Sequence, residues 1–325
     1  MRSEVALSKI TVAPLLCADA QSAMDTHPEW NDLKVFLAVA RLGTISDAGE
    51  KLGIEHSTVS RRIDRLEATL RVVLFDRRRS GYSLTDAGHA LIPHAEKMES
   101  ALLAAVEESL EVADFIKGNV RVGTPEAFGI HVLAPGVAQL RQKHPGLRVE
   151  LMAQPQFPSL VTREVEILVT LDPPEMGRYK VAKLAQIDYF LYCSPGYRKG
   201  RPPIRELADV AQHDFVDYIH DGSVSERYRV LEELVPQPNR CFTSNSVLAQ
   251  RSAAAAGLGL VLLTPYVANT KSGDLISLFP NQPLITRSLW IAAPEDLLRI
   301  KRYQFVWRFI REQVESQPEL FHPPA

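Results

Sequence analysis

The segment from Leu33 to Glu67 constrains this chain most, because it reads as helix, short turn and helix. Leu33, Phe36, Leu37 and Ala40 recur at helical spacing and define one apolar face. Gly43 stands where a helix commonly ends. Ser46 is then placed to cap a short helix from Asp47 to Leu52, which Gly53 closes. Val59, Ile63, Leu66 and Leu70 form the buried stripe of a third helix. Its other face carries His56, Ser57, Thr58, Ser60, Arg61, Arg62 and Arg65. Small hydroxyl residues and arginines are poor core material, but they suit a helix laid in the DNA major groove. A solvated helix face is the plain alternative for any one Arg-Arg pair.

The next residues strengthen the DNA reading. Leu74-Phe75-Asp76, the run Arg77-Arg78-Arg79, Ser80-Gly81 and Tyr82-Ser83-Leu84 read as a hairpin with a basic tip, a wing beside the helix-turn-helix. Arginines neutralise phosphates and fix register, whereas side chains at the start of the recognition helix read base edges. Arg61 is the first candidate for a bidentate guanine contact, and Arg62 for a phosphate. His56 either reads a base or simply occupies the helix start. With a net charge of -2, the basic signal is local to this region.

These residues resemble a known family. Asn31-Asp32-Leu33-Lys34-Val35-Phe36, Gly43-Thr44-Ile45-Ser46-Asp47-Ala48, Ser57-Thr58-Val59-Ser60-Arg61-Arg62-Ile63 with Leu66-Glu67, and Leu74-Phe75-Asp76-Arg77 with Leu84-Thr85-Asp86-Ala87-Gly88 are similar to the LysR-type transcriptional regulators. Two departures stand out. His56 replaces a frequent Gln, and Gly49 replaces a common Ala at a helix-propensity cost of about 1 kcal/mol.

Thr85-Asp86-Ala87 opens a further helix. Leu91, Ala95, Met98, Leu102, Ala105 and Ser109 recur along it at three- and four-residue steps to about Phe115, a seam suited to pairing between subunits. The alternative is a long helix packed on its own domain. Pro93 falls inside and should bend it or loosen its first turns. The resemblance implies that this linker helix dimerises, so that two winged domains share an inverted-repeat operator. It also implies a tetramer built from dimers, and leaves RNA polymerase as a further partner.

From Val120 strands and helices alternate, in α/β order with a mostly parallel sheet. Strands are expected at Val120–Gly123, Leu147–Met152, Glu166–Thr170, Tyr189–Cys193, Phe215–Tyr218, Cys241–Asn245, Leu258–Leu263 and Ser288–Ala292. The resemblance implies a two-lobed, periplasmic-binding-protein-like effector domain, with crossovers near Ile187-Asp188 and Leu284–Thr286. Carried over by position, the cleft is lined by Thr124, Thr170, Asp217 and Asn245. Thr124 could hold a carboxylate together with helix N–H groups, making an anionic effector the first class to consider; it could equally be an ordinary helix cap. Asp217 and Asn245 could instead only cap loops.

The expected organisation is thus an N-terminal all-α winged helix-turn-helix with a long linker helix, followed by the C-terminal α/β effector domain. The segments are a flexible extension over 1–27, the winged domain over 28–86, the linker helix over 85–117, the effector domain over 119–316 and a tail over 317–325. Within the effector domain, lobe I covers 119–187 and 287–316, and lobe II covers 188–286. Arg2, Lys9, the apolar run Ile10–Ala18 and Ala18-Asp19-Ala20 mimic a short signal peptide, but Pro14 interrupts it and Met24 offers a second start.

The 3 cysteines, Cys17, Cys193 and Cys241, lack metal-ligand spacing and fit a reducing cytoplasm. No apolar run reaches membrane-spanning length. No nucleophile elbow, phosphate-cradling loop or metal spacing is present, so no catalytic residue, metal or cofactor is expected. The expected function is transcriptional regulation by a small-molecule effector. A small-molecule carrier with a helical N-terminal appendage is the alternative.

Overall fold

The computed structural model describes residues 27–78, 81–109, 116–154, 159–174, 177–222, 224, 226–268 and 273–321. Residues 1–26 of the expected N-terminal extension, Arg79 and the expected end of the linker helix near Phe115 lie outside the described residues. The chain divides into two compact units between Glu99 and Ser100.

In the first unit α1 (Trp30–Leu42), α2 (Ile45–Leu52) and α3 (His56–Leu70) pack around Phe36, Val39, Val59, Ile63 and Leu66, all fully buried. The capping residue differs from expectation. Because α2 begins at Ile45, the extended residue before it is Thr44, and the Thr44 hydroxyl accepts the Asp47 N–H at 3.1 Å. Ser46 lies inside the first turn, from which it cannot serve as that cap. Gly49 also acquires a reason. A Cβ there would lie 2.8 Å from the Ile54 carbonyl oxygen, so the turn between α2 and α3 approaches too closely for alanine.

The wing is the hairpin of β1 (Phe75–Arg78) and β2 (Gly81–Leu84), with Phe75 opposite Leu84 and Arg78 opposite Gly81. Phe75 packs on Phe36 and Tyr82, with ring centroids 5.4 and 5.7 Å apart. Two polar ties fix its base. Glu67 of α3 accepts the Leu74 and Phe75 N–H groups at 2.7 and 3.2 Å, and Tyr82 N–H donates to the Gly43 carbonyl at 2.7 Å. Gly81 beside it has φ +129°, and a Cβ there would lie 2.5 Å from that same carbonyl oxygen.

The linker helix α4 (Asp86–Ser109) starts where Thr85 accepts the Gly88 N–H at 3.1 Å, and it continues through Pro93. Its apolar seam divides. Leu91 and Ala95 pack into the winged-domain core, whereas Met98 and Leu102 stay 47% and 46% exposed and Ala105 is exposed too. Val106, absent from the expected seam, joins them at 49%. These positions share one helical face, so the change comes from the helix running on past the winged core that covers its first turns. Farther along, Ser100, Leu103 and Ala104 pack in the second unit, where the buried Ser100 hydroxyl bonds Asp296.

The second unit is built on a nine-stranded sheet of order β4-β3-β5-β11-β6-β9-β7-β8, with β10 added to β6. Here β3 is Gly118–Thr124, β4 Leu147–Ala153, β5 Ile167–Thr170 and β6 Tyr179–Cys193. β7 is Asp214–Tyr218, β8 Asn239–Ser244, β9 Leu260–Leu263, β10 Ile276–Ser277 and β11 Ile285–Pro294. β3 runs parallel to β4 and β5, and β7 parallel to β8 and β9. The long strands β6 and β11 are antiparallel to each other and to their neighbours, so the sheet is parallel only within each end. Asp188 pairs with Thr286, whose hydroxyl donates to the Asp188 carboxylate at 2.6 Å. Both residues lie at the expected crossovers. The first ten residues of β6, before Tyr189, are an addition to the expected strands. Lys180 and Lys183 fall within this stretch, which is only partly covered, so it lacks the apolar run of a buried strand.

The helical segment after β3 is interrupted by a wider turn. α5 (Glu126–Phe128) passes through a π-helical turn, Gly129–Leu133, into α6 (Ala134–Lys143). α7 (Val247–Ala255), α8 (Pro265–Ala268) and the closing α9 (Lys301–Glu315) complete the layers packed on the sheet.

Two outcomes follow from this packing. Ile63→Ala should cost the winged domain about 2–5 kcal/mol in urea unfolding, because Ile63 is fully enclosed. Glu67→Ala should destabilise the wing base by about 1–3 kcal/mol by leaving two N–H groups without their acceptor. Faster amide hydrogen exchange at Leu74 and Phe75 is the expected readout, and unchanged exchange there would remove Glu67 from this role.

Candidate nucleic-acid interface and ligand cleft

α3 begins at His56, following the extended residue Glu55, and His56 and Ser57 are exposed at its first turn. Thr58 and Ser60 are half-buried on its flank. The arginines of this surface divide by the carboxylates within their reach. Arg65 holds the buried Asp32 of α1 through two hydrogen bonds, both 2.6 Å, and reaches Glu29 at 2.8 Å. The Asp32 hydrogen bond raises the Arg65 pKa above its ordinary value. Arg62 stands 3.7 Å from the same Asp32.

Arg77 is bonded to Asp64 and Glu67 and lies over the Tyr82 ring at 5.7 Å, so it fastens the wing to α3. Arg78 is well exposed, 3.9 Å from Asp76. Arg61 is exposed and has no carboxylate or hydrogen-bond partner among the described residues. The surface therefore contains structural arginines, Arg65 and Arg77, and a cation open to an incoming ligand, Arg61.

The second unit contains a small cavity between the strand ends and the helices that follow them. Its volume is about 40 Å³, and Asp217 and Asn245 both line it. Thr124 and Thr170, expected beside them, are not in its wall. Helix α5 starts after Pro125, so Thr124 is not the capping residue; its hydroxyl turns toward Gly129, 2.5 Å from where a Cβ would stand. The Thr170 hydroxyl accepts the Asp172 N–H at 3.0 Å and closes the turn after β5. Both threonines are fully buried.

What does line the cavity is largely aromatic. Tyr189, Tyr218, Tyr228 and Tyr266 border it, with the Tyr218 and Tyr228 rings 5.4 Å apart. Burial raises the hydroxyl pKa of all four, that of Tyr266 to about 12, so they are neutral at ordinary pH. Glu126, the first residue of α5, faces α7. Its carboxylate accepts the Ser246 hydroxyl at 2.9 Å and the Val247 N–H at 3.0 Å. An acid on a helix N-terminus is favourable, and this one ties the segment after β3 to the segment after β8. Asp217 accepts from Arg240 at 2.9 Å, and Arg240 also reaches Glu232 at 2.6 Å.

A larger open basin of about 540 Å³ is bordered by Asp172, Glu226, Arg227, Glu233 and Arg287. The Arg227–Asp172 ion pair, at 3.2 Å, crosses it. The sequence signal for the tyrosines is their place at the ends of expected strands, as with Tyr189 and Tyr218. Tyr228 and Tyr266 lie outside any expected strand.

Comparison with known proteins fits both halves. Residues 30–89 match the model of bacterial regulatory helix-turn-helix proteins of the lysR family, and residues 113–315 match the LysR substrate binding domain. The chain is 26% identical over 299 residues to the HTH-type transcriptional regulator PtxR of Pseudomonas aeruginosa, covering 90% of this chain and 95% of that one. It is 28% identical over 267 residues to the regulator CrgA of Neisseria meningitidis, covering 80% and 87%. The solved structure of CrgA superposes with a TM-score of 0.53 at 25% identity, over 87% of this chain and 98% of that one. A full-length OxyR variant from Pseudomonas aeruginosa shares the fold with a TM-score of 0.65 at 18% identity, over 88% and 98%. The match over residues 30–89 displaces the carrier alternative. The chain belongs to the LysR-type transcriptional regulators, DNA-binding proteins controlled by a small-molecule effector through their C-terminal domain.

Proposed function

We propose that this regulator reads its operator with Arg61 and the first turn of α3, and that it does so in the cytoplasm as a pair of winged domains on an inverted repeat. The observation that carries the reading is the partition of arginines. Arg65 and Arg77 are held by carboxylates of their own domain, while Arg61 is exposed without a partner among the described residues. A guanidinium free of internal ion pairs can meet guanine through two parallel hydrogen bonds, worth about 1–3 kcal/mol of discrimination. His56, Ser57, Thr58 and Ser60 adjoin it at the helix start. Arg62 and Arg78 supply phosphate contacts, and Arg79 is assigned with them from its place in the wing sequence.

The exposed face of Met98, Leu102, Ala105 and Val106 is apolar enough to pair with a second copy. Dimers then assemble into a tetramer, with RNA polymerase as a further partner of the bound complex. The effector enters the cavity bordered by Asp217 and Asn245 and acts by binding one assembly state better than the other.

With an operator found by genome-wide mapping of bound DNA, Arg61→Ala should abolish specific binding in a gel-shift assay. Folding and dimerisation should stay intact, since an exposed position changes stability by only about 0.5 kcal/mol. Retained specific binding would overturn the assignment. Arg78→Ala should instead weaken binding to all sequences alike and reduce the salt slope by about 1. A loss confined to one sequence would place Arg78 among the base readers.

A further inference from the structure

The charged side chains around the inner cavity are unusual for a site expected to hold an organic acid. Both are carboxylates, Glu126 and Asp217, and among the described residues no lysine, arginine or histidine lines the wall. The helix N-terminus that could have received an anion, that of the nine-residue α7, already holds Glu126 through Ser246 and Val247. An incoming carboxylate would meet the like charge of Glu126 and an occupied donor set.

The same wall suits a cationic nitrogen. Each Glu126 oxygen takes a single hydrogen bond from α7, and an ionised carboxylate has about four acceptor sites. Asp217 is paired with Arg240, which it shares with Glu232, and His220 stands 3.7 Å from Asp217 and 3.6 Å from Glu232, so Glu126 is the carboxylate of the wall without an ion pair among the described residues. Thr264 lines the cavity with its buried hydroxyl next to Tyr266, and a hydroxyl oxygen keeps lone pairs that can accept one of the three ammonium protons. The tyrosine rings add π faces, which attract cations most strongly where water is excluded. We infer that this cleft takes a small organic amine, bound as its ammonium ion against Glu126 and the tyrosines, and excludes organic acids. The inference rests on the reading of this cavity as the effector site and names the chemical class of the effector. A cavity of about 40 Å³ suits a short aliphatic amine, since a cavity of roughly 150 Å³ is what holds benzene. A bulkier amine requires the tyrosines to move apart.

Matched trios of compounds test this on the full-length chain: propylamine, propan-1-ol and propionate, then benzylamine, benzyl alcohol and benzoate. Melting temperature and titration calorimetry give the affinities. The expected result is saturable binding of at least one amine, with its alcohol at least about tenfold weaker and its carboxylate without effect. Glu126→Gln should weaken amine binding by about tenfold, a difference of about 1.4 kcal/mol. Alcohol or carboxylate binding as tight as the amine, or no binding by either amine, would overturn the inference.

Val216→Phe separates this failure from failure of the underlying reading, because Val216 is buried in the cavity wall. If a carboxylate alters operator binding and Val216→Phe abolishes that response, the cavity remains the effector site and only the amine assignment falls. If the response to any of these compounds survives in folded Val216→Phe, the effector acts elsewhere and both readings fall.

Discussion

The effector domain depends on one pairing, the antiparallel ladder between β6 and β11. It runs from Ile285 opposite Tyr189 to Pro294 opposite Tyr179, and it joins the two parallel ends of the sheet. Neither end closes without it, since β5 reaches the rest of the sheet through β11 and β9 through β6. The Thr286–Asp188 hydrogen bond sits at the point where these strands pass from one end to the other. Asp188 is buried there, and burying a carboxylate is costly unless it is hydrogen-bonded. The bond therefore holds the crossover register as well as satisfying the acid. The cavity follows from this topology, because ligand sites in open α/β sheets form beyond the carboxyl ends of strands and near helix N-termini. Tyr189, on the ladder itself, is one wall of that cavity.

In the winged domain the corresponding constraint is a competition for guanidinium groups. Asp32 is buried and acidic, so it must be paired, and the cations within reach are Arg62 and Arg65 from α3. Holding Arg65 locks α3 against α1 and engages its guanidinium within the domain. Glu67 does similar service at the other end of α3, bonding two backbone N–H groups of the wing and one arginine. An interface that must present a recognition helix and a wing in fixed register gains from this, because phosphate and base contacts both depend on placement.

Much of this architecture is legible in the chain itself. The stripe of Val59, Ile63 and Leu66 and the basic hairpin are local patterns, and each appears where its spacing places it. The roles of individual arginines are not legible to the same degree. Arg61 and Arg65 are four residues apart on one helix and chemically identical; what separates them is Asp32, which the fold brings in from another helix. The cleft is less legible still. Thr124 and Thr170 follow strands at the expected positions, but a threonine at a strand end can turn either way, and both hydroxyls face the protein rather than the cavity. Glu126 escapes notice in the sequence because an acid in a first helical turn needs no further explanation. Its contact lies 120 residues along the chain, where no periodicity could register it.

Glu126 also bears on how a ligand in this cleft could do work. Two polar ties stand here, Glu126 to the start of α7 beside the inner cavity and Arg227 to Asp172 at the open basin. A ligand shifts a conformational equilibrium only by the difference in its affinity for the two states. A compound that binds with the Glu126 tie intact would favour the arrangement seen here by adding contacts to it. A compound that needs Glu126 to leave α7 would first have to replace two hydrogen bonds to a charged group, each worth about 1.5–3 kcal/mol. On the proposed reading of the cavity, the tied arrangement would discriminate between ligands by whether they use Glu126 or displace it. The acid of α5 is a strut between the segments after β3 and β8, and the proposed amine site would make it the selector as well.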